Sequence, residues 1–172
     1  MEEIWQLVMN DYMMILTGWG IGYLLLAAAR DRGRWLQLFN MFQIISFLGY
    51  LLFLLYGTLF GRQKFEEFQY ELSFLWEYRL AFQGSRIWFT QIWNNIIMFV
   101  PLGMFYGEQR CWKSGWCRAM LAGCICSGMI EILQLVLKLG LFEFDDILNN
   151  SIGMMIGYGL TKIRRRKRRL QI

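Results

Sequence analysis

Long apolar runs broken by short charged stretches dominate the pattern of the chain. Five runs have the roughly 20 apolar residues that a helix needs to cross a bilayer. They fall at about 12–29, 35–60, 87–106, 119–137 and 147–163. The second is the most apolar and is long enough to tilt. The third is interrupted by Asn94, Asn95 and Pro101, and the fifth is the shortest. Between the second and third runs, residues 61–86 alternate charge with aromatics. There Phe65, Phe68, Leu72, Leu75 and Trp76 recur at helical spacing, which fits an amphipathic helix in the membrane interface or a loop packed over the helix ends. The pattern predicts a single all-α domain over 1–172, an integral membrane bundle of about five transmembrane helices with an amphipathic segment between helices 2 and 3.

Composition strengthens this reading. Of 172 residues, 56% are hydrophobic and 17% aromatic, with one proline and no histidine. An ordinary soluble domain is less apolar. Without histidine the chain lacks the commonest neutral-pH base and the commonest zinc ligand. The four cysteines, Cys111, Cys117, Cys124 and Cys126, have no metal-binding spacing and are expected to be reduced. The first eleven residues carry acids and no Lys or Arg, unlike the start of a cleavable signal.

Charge gives the orientation. Residues 164–169 hold six of the 18 basic residues, and such a run beside a membrane helix meets anionic headgroups, so no nucleic acid is expected. With five spans, one set of loops holds 13 of the 18 basic residues and only Asp31 and Glu108 as acids. Positively charged loops stay in the cytoplasm. The N-terminus is therefore expected outside and the C-terminus inside, in a multi-pass protein of a cytoplasmic membrane.

That orientation brings the intramembrane polar groups to one depth. Asn94 and Asn95, then Glu131 and Gln134, then Asp145, Asp146, Asn149 and Asn150 all fall toward the outer ends of their helices. Polar groups at membrane depth are costly and point to a site. Glu131 and Gln134 share a helix face, and Asp146, Asn149, Asn150, Gly153 and Gly157 form one stripe. Gly153 and Gly157 suit close helix packing. Asp145 or Asp146 is placed to cap the fifth helix. A carboxylate such as Glu131 inside apolar sequence must be protonated or find a partner, and Arg79 and Lys138 are the cations nearest in the pattern. Pro101 is expected to kink the third helix or start a half-helix, with Gly103 allowing close approach beside it.

These residues also carry a resemblance. The segment 95–103, with Asn95, Phe99, Pro101 and Gly103, resembles the N-x-x-x-F-x-P-x-G stretch of the VanZ-like family. Glu131 and Gln134, followed by Asp146, Asn150, Gly153 and Gly157, resemble its second half, and Trp76, Tyr78 and Arg79 its tryptophan-x-tyrosine-arginine stretch. The match covers 72–160. Gly140 stands where many members carry an Arg, and Glu71 and Phe74 replace the usual Asn and Pro. The resemblance implies a bacterial cytoplasmic-membrane protein associated with resistance to teicoplanin, a glycopeptide that acts on cell-wall precursors outside the membrane.

Three functions follow as expectations. The first is binding of an envelope lipid, lipid-linked wall precursor or lipoglycopeptide in an outer-leaflet polar cup. Its ligand-binding residues would be Arg79, Asn95, Glu131, Gln134, Asp145, Asp146 and Asn150. The second is an envelope-lipid-modifying enzyme with Glu131 and Asp146 as candidate catalytic groups. No reaction-specific motif marks it. Glu131, Asp146 and Asn150 are candidate metal ligands, and oxygen donors alone would take Mg2+, Mn2+ or Ca2+. The third is a small transporter, which five spans without repeats suit only as a homo-oligomer.

Overall fold

A computed structural model describes residues 36–60, 64–108 and 115–170, together with Gly18 and Gly22. The first expected span lies outside the described residues. The chain divides into two compact units, Met1–Tyr56 and Gly57–Ile172.

The first unit holds the helix α1 (Leu36–Leu55), and a π-helical turn, Tyr56–Phe60, leads from it into the second unit. Most of its large apolar side chains past residue 40 are exposed, among them Ile45 and Leu52.

The second unit runs β1 (Gln69–Glu71), α2 (Trp76–Phe82), α3 (Arg86–Glu108), α4 (Trp116–Leu137), β2 (Leu141–Glu143) and α5 (Phe144–Leu170). Here α5 is the central element, packed closely on α3 and also on α4. The close approach has a plain cause in the sequence. A side chain at Gly153 or Gly157 would collide with the carbonyls of Ile96 or Val100, and one at Gly103 with the carbonyl of Met154. Each helix thus offers glycine where the other offers backbone, and small residues of this kind let helices pack at short range. Phe99, Met104 and Met154 fill the seam. At one end Glu108, the last residue of α3, pairs with Arg164 and Arg165 of α5.

Two local expectations need correction. α3 runs unbroken through the buried Pro101, so no half-helix starts there. Residues 65–76 do not form one amphipathic helix. Gln69, Tyr70 and Glu71 are extended and pair in parallel with Leu141, Phe142 and Glu143. Leu75 has φ 60°, which breaks any helix before Trp76. The helical spacing of the aromatics there comes from an extended segment followed by a short helix.

Met41–Leu59 and Trp116–Leu137 are long and apolar enough to cross a membrane. α3 and α5 are as long, but their inward faces carry the polar residues described next.

Candidate functional site

The site forms where α2 meets the first turns of α5. Leu75, at the start of α2, is left-handed and offers no side-chain cap. The two open N–H groups find a partner far along the chain. Leu75 N donates to Asp145 Oδ1 (2.7 Å) and Glu77 N to Asp145 Oδ2 (3.0 Å). Asp145 is fully buried and caps α2 rather than its own helix, which places a negative group at a positive helix end.

With α2 fixed in this way, Glu77 turns inward and is 0% exposed. Gln91 Nε2 of α3 donates to its Oε1 (2.8 Å), and Asn149 Nδ2 of α5 to its Oε2 (3.0 Å). The same Asn149 accepts from Tyr78 Oη (2.5 Å). Gln91 Nε2 also reaches Glu143 Oε2 (3.3 Å). Asn95 donates to Asp146. Glu143 N, at the end of β2, donates to Glu131 Oε2 (3.0 Å), which ties the α4 carboxylate to the same group. One oxygen each from Glu77, Glu143 and Asp146 lies within 4.8 Å of the others, and all three residues are buried.

Three carboxyl groups at that spacing cannot all carry free charge in a buried site. Glu77 lies on the short helix that precedes α3. Burial raises its pKa from the ordinary 4.5 to about 9, with Asp146, Glu143 and Asp145 adding to the rise. It is therefore neutral at pH 7 unless a cation joins the group. The oxygen donors fit a hard divalent cation, which prefers carboxylates and carbonyls, and do not fit zinc in a structural site. Glu77, Glu143 and Asp146 would hold such an ion.

The residues singled out by the sequence divide into three groups. Asn95, Asp146 and Glu131 join this network directly, and Asp145 organises it. Asn150 and Gln134 are buried one turn further on. Asn150 Nδ2 donates to Ser127 Oγ (2.8 Å), and Gln134 Nε2 to the carbonyl of Thr58 in the π-turn (2.9 Å). Of the candidate metal ligands Glu131, Asp146 and Asn150, only Asp146 belongs to the close triad. The expected cationic partners of Glu131 lie elsewhere. Arg79 is exposed. Lys138 caps α4 in a left-handed conformation, and its Nζ donates to the Glu66 carbonyl (2.6 Å) beside the Phe68 ring.

Glu77, Gln91 and Glu143 were not among the expected ligands. The charged and aromatic alternation around Glu77 reads as surface, and only its place between Trp76 and Tyr78 in the family-like stretch marks it out. Glu143 looks like part of a polar turn until β2 pairs with β1.

Two of the described helices are long and apolar enough to cross a membrane, and polar groups gather between the helices of the second unit. The sequence matches the VanZ/LLP1 family over residues 47–165, and the chain belongs to that family. It is a VanZ-like membrane protein. No curated protein and no solved structure matches it.

Proposed function

We propose that this protein binds an envelope lipid or another amphiphile through the carboxyl-rich cup, and that this binding underlies a role in glycopeptide resistance. The single observation that carries the reading is the convergence of Glu77, Glu143 and Asp146 in a buried polar group. In this reading the chain crosses a bacterial cytoplasmic membrane five times with its N-terminus outside. The cup then opens to the outer leaflet, where lipid-linked wall precursors and the lipid tail of teicoplanin are found. Asn95, Glu131, Gln134 and Asn150 shape its floor, and Arg79, exposed at the rim, meets phosphate. A divalent ion held by the triad would supply positive charge for an anionic headgroup.

The test uses the full chain purified into nanodiscs. Mn2+ binding is followed by electron paramagnetic resonance, with and without added lipid-linked wall precursor. The reading expects about one ion per chain, bound more tightly with precursor, and lost on Glu77→Gln or Asp146→Asn. Equal binding by wild type and both variants, or no binding by any, contradicts it.

A second reading, an envelope-lipid-modifying enzyme, is favoured by the neutral Glu77. A carboxyl with its pKa raised to about 9 holds a proton at pH 7 and is able to act as a general acid. Turnover of a labelled envelope lipid by wild type and not by Glu77→Gln distinguishes it from binding alone.

A further inference from the structure

The elements that turn polar groups into the cup turn aromatic groups outward. On α2, Glu77 is fully buried while Phe82 is 90% exposed. On α3, Gln91 faces the cup while Phe89 and Trp93 are exposed. Phe68 and Tyr70, in and just before β1, and Phe74 ahead of α2 are exposed as well. Phe89 and Trp93 lie edge to face with ring centroids 6.3 Å apart, and a short segment that exposes so many large aromatics marks an interaction surface.

Their level in the fold says what covers them. Asp145, in the first turn of α5, caps α2, so α2 lies level with that end of α5. α4 finishes near the same level, since its last residue is Leu137 and only three residues separate it from β2, which leads directly into α5. α4 is about 33 Å long, at about 1.5 Å per residue, close to the thickness of a bilayer core. Its final turns also expose Leu133 and Val136, so its apolar surface runs up to this level. Tyr and Trp are enriched where spans leave the hydrocarbon, Phe serves on the apolar side of interfacial segments, and Tyr70, Trp93, Arg79 and Arg86 are all exposed here.

We propose that β1, α2 and the first turns of α3 form an aromatic collar immersed in the lipid headgroup–acyl boundary at the end of α4. The occupant of this surface is the bilayer itself, not a second protein. The inference rests on α4 crossing the membrane.

The test places the photo-crosslinking residue p-benzoylphenylalanine at Phe82 or Phe74 in the full chain, in liposomes of phosphatidylethanolamine and phosphatidylglycerol. Leu133 is the lipid-facing control. After irradiation, intact-mass measurement is expected to show a gain of one phospholipid at Phe82, Phe74 and Leu133. A crosslinked dimer at Phe82 and Phe74 overturns the proposal in favour of a second copy of the chain. Lipid adducts at Leu133 with none at Phe82 or Phe74 overturn it in favour of a water-facing surface. No adduct at Leu133 removes the spanning helix on which it depends. Ion binding by the cup is measured separately and does not enter this readout.

Discussion

Glu77 is the residue on which the site's electrostatics turn. Its folded pKa of about 9 lies well above the ordinary 4.5, so between those values the unfolded chain has lost the proton that the folded chain keeps. Folding stability from this group is complete below about pH 4.5, falls as pH rises, and is gone above about pH 9. Thermal melts in detergent without divalent ions should show this decline, and Glu77→Gln should flatten it. A wild-type curve that rises from pH 5 to 9 would contradict the assignment. Adding Mn2+ or Mg2+ should reverse part of the decline, because a cation favours the ionised triad. At this scale the sequence revealed a good part of the site. Asp146, Asn95 and Glu131 stand out because they interrupt apolar helices. Glu77 and Gln91 do not, because their neighbours are polar or aromatic and their inward direction depends on a cap supplied by Asp145.

The elements are held by a few contacts that the sequence pattern shows only in part. Gly153 and Gly157 are legible as a small-residue stripe, and the backbone of α3 meets them. Gly157→Leu would drive a side chain into the Val100 carbonyl. It is expected to cost on the order of 1–3 kcal/mol or to prevent folding. Gly128→Ala, inside α4 where a Cβ meets nothing within 4 Å, should leave the melting temperature unchanged or raise it slightly. Equal melting of both variants would contradict the packing described. The cap on α2 was hidden from sequence reading, since its donors and acceptor are far apart in the chain. Asp145→Ala removes both acceptors and should lower stability by about 1–2 kcal/mol. It should also loosen Glu77, seen as faster amide exchange in α2. The β1–β2 pair was equally hidden, because three residues are too few to show a two-residue period.

For the whole molecule, helical class and membrane character were legible, because apolar runs of helix length dominate the chain. Two described helices meet the length and composition expected of a span. α3 and α5 do not stand out in the same way, since a helix that lines a polar site gives up part of its apolar character. The proposed orientation makes a direct prediction. A fluorescent protein fused after Ile172 should fold and fluoresce, while an alkaline phosphatase fusion there should be inactive. The reverse pattern would turn the molecule over and place the cup at the cytoplasmic face.

The central claim is that the carboxyl cup is the working part of the protein. The most direct measurement is teicoplanin susceptibility of a sensitive Gram-positive host expressing wild type, Glu77→Gln, Asp146→Asn or Glu131→Gln at matched membrane levels. The account predicts that wild type protects and that the variants insert normally but lose protection. Equal protection by all four proteins, or none by wild type, would contradict it.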